Sequence, residues 1–131
     1  MNEIYGPVEG GCLCGAVRYS LSQPPHNAGY CHCRMCQRAL GNLFGAWIMT
    51  KNEYLRYPKK EPNWYAASDA ARRGFCSTCG SPIVWQPEGK DFAAIWIGTL
   101  DDPTAYVPQG HWHTEGKIPW VDIHDHLPVR S

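Results

Sequence analysis

Seven cysteines in three tight groups constrain this chain more than any other feature. They are Cys12-Leu13-Cys14, Cys31-His32-Cys33-Arg34-Met35-Cys36 and Cys76-Ser77-Thr78-Cys79. An odd number cannot pair off completely. The N-terminal residues show no charged start followed by an apolar stretch, so no secretory leader is visible. The expectation is a cytoplasmic protein whose thiols stay reduced. In that setting C-x-C and C-x2-C spacings belong to metal binding and not to a disulfide framework.

The thiols divide as four plus three. Residues two apart on a strand face the same side, so strand placement would aim Cys12 and Cys14 at one ion, and Cys31 and Cys33 likewise. Cys76 and Cys79 have the knuckle spacing of structural zinc sites, and Gly80 follows to ease the turn. Cys12, Cys14, Cys76 and Cys79 together would close a tetrahedral site that is structural. Cys31, Cys33 and Cys36 would leave a fourth position open, which reads as catalytic. Zinc with three thiolates carries a formal charge of about −1, so it activates water poorly and suits a thiol better. Two alternatives stand beside this. His32, a distant histidine or an aspartate could close the triad into a second structural site, or the triad could be metal-free and prone to oxidation.

The rest of the sequence predicts a small β protein. Its 131 residues fit one domain, taken as 1–131. With 13 glycines and 11 prolines spread along the chain, short strands and turns are favoured over long helices. Candidate strands are 16–21, 44–49, 63–66, 82–85 and 92–97, and residues 34–40 read as a short helix. A second small helix is expected to start near Asp102-Pro103. These segments predict mainly antiparallel sheets, two of them packed together. Trp47, Trp64, Trp85 and Trp96 fall on candidate strands as core residues, one of them a possible pocket wall, and Trp120 is expected to plug the core. Twelve basic and twelve acidic residues give a formal net charge of zero, which argues against nucleic acid and against a polybasic membrane anchor. No apolar run approaches the roughly 20 residues of a spanning helix.

Four blocks carry a resemblance. They are Gly10-Gly11-Cys12-Leu13-Cys14-Gly15-Ala16-Val17-Arg18-Tyr19, Cys31-His32-Cys33-Arg34-Met35-Cys36-Gln37-Arg38, Gly74-Phe75-Cys76-Ser77-Thr78-Cys79-Gly80-Ser81-Pro82 and His111-Trp112-His113-Thr114-Glu115-Gly116-Lys117-Ile118-Pro119-Trp120. In this order they resemble the glutathione-dependent formaldehyde-activating enzyme family, which shares its pattern with the centromere protein V family. The last block has Trp112 where the family often has Ile, and Gly116 where Ser is common. The resemblance implies a β-tent (Mss4-like) arrangement of antiparallel sheets. It implies one structural zinc on Cys12, Cys14, Cys76 and Cys79, and one labile, catalytic zinc on Cys31, Cys33 and Cys36.

The implied activity is that of a carbon–sulfur lyase acting on a small thiol–aldehyde adduct of the S-hydroxymethylglutathione type. Its partners would be a glutathione-like thiol and an aldehyde. The other reading is a zinc-stabilised binding or scaffold module without catalysis. Arg34, His111 and Lys117 are the candidate substrate contacts. Arg34, Gln37 and Arg38 flank the triad, and Lys117 could meet a substrate carboxylate. His111, His113, His124 and His126 form two H-x-H pairs for which ordinary surface histidine is the stronger reading, with substrate contact more plausible for the first pair than metal ligation.

Overall fold

Short strands separated by glycine and proline give this chain its shape. The computed structural model describes residues 8–130. In chain order the strands are β1 (Val8–Gly11), β2 (Arg18–Leu21), β3 (Asn27–Cys31), β4 (Gly45–Lys51), β5 (Leu55–Arg56), β6 (Asn63–Ala66), β7 (Ala71–Phe75), β8 (Pro82–Pro87), β9 (Phe92–Trp96), β10 (His111–Trp112) and β11 (Val129–Arg130). One helix, α1 (Arg34–Leu40), follows β3. The strands form a three-stranded sheet, β1-β2-β5, and an eight-stranded sheet, β11-β10-β3-β4-β9-β8-β7-β6.

Period-two alternation makes the large sheet apolar on both faces. In β4, Ile48 points into the main core while Trp47 joins a second cluster. In β9, Ala93 and Ile95 face the main core, and Ala94 and Trp96 face the second cluster. The main core also takes Val8, Tyr19 and Leu21 from the small sheet. The second cluster holds Cys31, Cys36, Trp47, Ala94 and Trp96, so the triad lies on the face of the large sheet turned away from the main core.

Two features depart from the expected antiparallel pattern. β10 pairs in parallel with both β3 and β11. This follows from the long return of the chain from β9, which brings β10 alongside β3 from the same direction. The cysteine pairs also do not converge by strand geometry. Cys12 and Cys14 sit in the turn after β1, while Cys31 ends β3 and Cys33 caps α1. Turns bring these sulfurs together more tightly than a pleat does. The second helix is a single 3-10 turn, Pro103–Ala105, whose Asp102 cap accepts from the Thr104 amide. Trp120 does not plug the core: it is 70% exposed, because the segment around it runs over the surface in short turns.

Candidate metal centres and the adjoining cavity

The first thiol set joins the two sheets. The Sγ atoms of Cys12, Cys14, Cys76 and Cys79 all lie within 4.8 Å of one another. Backbone amides aim at these sulfurs: Val17 N–H reaches Cys12 Sγ at 3.3 Å and Cys79 N–H reaches Cys76 Sγ at 3.5 Å. The knuckle closes through Gly80 at φ +81°, in the left-handed region glycine adopts freely. Ser81 bridges the two halves, since its hydroxyl accepts from Leu13 N–H at 3.0 Å and sits 3.2 Å from Cys79 Sγ. That hydroxyl, followed by backbone amides, holds the Cys79 thiol down to about 5.

The second set is Cys31, Cys33 and Cys36, whose sulfurs also lie within 4.8 Å of one another. Cys33 caps α1 and accepts from Cys36 N–H at 3.3 Å. Cys36 is buried against Cys31, and the Arg73 guanidinium places Nη2 3.7 Å from its sulfur. The Cys36 thiol is pushed down by the hydrogen bond from Cys31, with Arg73 adding to the effect, and Cys31 is pushed up by that same bond and by burial. Arg73 Nε and Nη1 are buried without a partner. Among the described residues, no other cluster of three or more metal-binding side chains accompanies these two. Both sets fit a soft cation: sulfur donors converge within ligand range, and amide or guanidinium N–H groups offset thiolate charge.

Three residues lock the triad loop. Gln37, 3% exposed, donates from Nε2 to the carbonyls of His32 and Gly116, each at 2.9 Å. Gly116 packs so closely that a Cβ there would meet the His32 oxygen at 3.0 Å. His32 is buried against His111, and burial, with His111 and Lys117 nearby, lowers its basicity.

The expected substrate contacts fall in different places. Arg34 bonds Gln37 Oε1 and lines an open cleft of about 770 Å³ together with Arg38 and Arg73. His111 is 4% exposed and engaged with His32 and Asp125. Lys117 donates to the carbonyls of Val121 and Ile118, at 2.5 and 3.3 Å. Neither His111 nor Lys117 lines the space beside the triad. His113 does line it, and its backbone takes the left-handed conformation at φ 58°.

That space is a cavity of about 420 Å³ onto which all three thiols open. Strand register builds its floor. Asn27, Met49, Ala94, Trp85 and Arg73 stand opposite one another across β3, β4, β9, β8 and β7, so they share one face. Trp47 and Trp96 form the next row toward Cys31, and Trp112 of β10 pairs with Cys31 itself. Gly29 makes the wall possible: a Cβ there would lie 2.4 Å from Trp112 and 2.6 Å from Trp47. Arg73 was not visible as a site residue in the sequence, because only the sheet register brings it to Cys36.

The fold and its thiols define a β protein with one closed and one open candidate metal centre, the open one facing a cavity. A profile of the family described as glutathione-dependent formaldehyde-activating enzyme matches residues 7–116, and the chain belongs to that family. A Halomonas elongata protein, provisionally named for the same family, is 27% identical over 128 residues, covering 88% of this chain and 80% of its own. An uncharacterized lyase of Schizosaccharomyces pombe is 29% identical over 92 residues, covering 68% of this chain and 66% of its own. The crystal structure of a Rhodobacter sphaeroides protein shares the fold with a TM-score of 0.55, at 23% identity, over 76% of this chain and 97% of that one. Among the described residues no helix is long and apolar enough to cross a membrane.

Proposed function

We propose that this protein is a zinc-dependent carbon–sulfur lyase that makes and breaks adducts between a small anionic thiol and an aldehyde. One observation carries the reading: three converging thiols, with no fourth protein ligand among the described residues, face a cavity. Zinc on Cys12, Cys14, Cys76 and Cys79 is the structural ion. Zinc on Cys31, Cys33 and Cys36 supplies Lewis acidity and a soft place for an incoming sulfur.

The chain's own groups do the rest. Arg34, Arg38 and Arg73 line the open cleft and attract the carboxylates of a glutathione-like thiol. His113, on the cavity wall, takes the thiol proton. The sulfur then forms a bond to the aldehyde carbon as the C=O π bond breaks, and the oxygen receives that proton. Arg73, which lines the cavity beside Cys36, sets a positive charge near this oxygen as its own charge develops. The reverse path returns thiol and aldehyde with the same balance. Thiol and aldehyde react readily unaided, so positioning and thiol deprotonation suffice.

Replacing Cys36 by Ser tests this. One of two zinc ions should be lost, the fold retained, and turnover of S-hydroxymethylglutathione or a related adduct abolished. Dialysis of the unaltered protein against millimolar glutathione should likewise reduce two zinc ions per chain to one. Two ions that never move, with turnover unchanged in the variant, would favour a zinc-stabilised scaffold instead.

A further inference from the structure

Formaldehyde has one carbon, and its adduct with a thiol adds only a hydroxymethyl group. The cavity at the triad holds about 420 Å³ and is walled by Trp47, Trp85, Trp96, Trp112, Met49 and Phe92. That volume is within the range that holds a small organic ligand. An adduct of formaldehyde would leave most of it unfilled, with the ring faces making no contacts. The walls are also held in place at a cost to the backbone. Trp47 and Trp112 meet edge to face with centroids 5.0 Å apart, over a glycine in β3 that leaves room for both. Gly45, next along the same face beyond Trp47, likewise lies under Trp96, where a Cβ would come within 2.8 Å of the ring.

Apart from the thiols, the polar side chains of the cavity are Arg73, His113, Asn27 and Ser68, and the rest of the lining is apolar. Arg73 belongs both to this cavity and to the arginine-lined cleft beside it. Met35 and Trp96 are shared by the two spaces as well. The site is thus divided: a cationic cleft on one side of Arg73, an aromatic chamber on the other, and the thiols opening onto the chamber.

Building on the lyase reading, we infer that the aldehyde half of the substrate carries an apolar skeleton of aromatic size, which fills the chamber while the anionic thiol lies in the cleft. Formaldehyde is then a poor fit for this member of its family. The tryptophan rings offer flat faces and edges to such a skeleton, and Met49 adapts to its outline.

The test uses the zinc-loaded protein and ligands that cannot turn over. S-(2-phenylethyl)glutathione mimics the adduct of phenylacetaldehyde, an aldehyde with a ring-bearing skeleton, S-methylglutathione mimics that of formaldehyde, and 2-phenylethanol carries the ring without any thiol. Binding is read by calorimetry and by tryptophan fluorescence. The phenylethyl thioether should bind roughly ten- to a hundredfold more tightly than the methyl thioether, and 2-phenylethanol should quench fluorescence by itself. Trp112→Ala should reduce that ratio at least fivefold, with retained far-UV circular dichroism and zinc content serving as the folding control. Met49→Ala, a milder change on the floor, should reduce it less. Equal affinity for the two thioethers, or a ratio untouched by both variants, would overturn the inference and leave the lyase reading intact. If 2-phenylethanol binds in a Trp112-dependent way but neither thioether does, the chamber's preference stands and the glutathione-like half of the functional reading fails.

Discussion

The Nε2 atom of His32 lies 2.9 Å from Nδ1 of His111, and His111 Nε2 lies 3.0 Å from an Asp125 carboxylate oxygen. A carboxylate only accepts, so His111 donates from Nε2. With His111 neutral, its Nδ1 accepts and His32 donates from Nε2. This chain of bonds pins the loop between Cys31 and Cys33 to the C-terminal segment. Replacing His111 by Phe leaves His32 Nε2 unpaired in the interior, at an expected cost of about 1–3 kcal/mol in urea unfolding. Glutathione should also remove zinc from the second site faster in this variant. Asp125→Asn, which keeps an acceptor, should cost less on both measures. Equal zinc-release rates in His111→Phe and the parent would show that the chain does not brace the triad.

Gly29 is where two tryptophans approach the backbone of β3. Gly29→Val should destabilise the protein by about 1–3 kcal/mol through overpacking. Because the displaced rings wall the cavity, the near-UV circular dichroism of tryptophan should change even where folding persists. An unchanged spectrum would mean the rings are not seated as described.

Lys117 spends its ammonium on two carbonyls of its own turn. Lys117→Met should therefore lower Tm while leaving KM for the thiol substrate within about twofold, each lost bond to a charged group being worth about 1.5–3 kcal/mol at most. A KM raised tenfold at unchanged Tm would return Lys117 to the substrate site.

Arg18 grips Asp101 with two bonds, at 2.9 and 2.5 Å, and this pairing holds the Asp101 carboxyl below its ordinary value of 3.8. A carboxyl with a depressed folded value stabilises the protein above its unfolded value. The contribution fades as pH falls through the folded one. The pair is partly exposed, so it is worth no more than about 1 kcal/mol. The stability difference between the parent and Asp101→Asn should be present at pH 6 and absent near pH 2. Any metal held by the thiol sets would leave both chains in acid, so the difference is the quantity to follow. A difference independent of pH would rule the pairing out as its source.

The thiol partition was legible because spacing within each group is local and the two isolated pairs have few ways to combine. The helix 34–40 and the strand 63–66 were legible for the same reason: caps and alternation act over a few residues. What escaped depends on distant neighbours. β1, β3 and β7 are not among the expected strands, since their glycines and arginines break the apolar alternation. Gly29 is crowded by the Trp112 and Trp47 rings and Gly74 by Val84, and Arg73 of β7 reaches Cys36 of α1, which lies far from it in sequence. Histidines 111 and 113, alike in sequence, part company because β10 ends at Trp112 and His113 turns into the left-handed conformation, so the two no longer share a face: His111 is buried while His113 lines the cavity.

The closed thiol set joins Cys14 to Cys76, positions 62 residues apart. The stretch so tied contains Cys31, Cys33, Cys36 and α1, so one thiol set is nested within the loop that an ion on the other would shut. Loop closure removes entropy from the unfolded chain much as a covalent crosslink does. If both sets hold zinc as proposed, they would stand in a hierarchy. Stripping the inner ion would leave the outer tie in force, whereas stripping the outer one would loosen the frame that holds the inner. Under limiting metal, such a chain would secure its framework before its open site is filled.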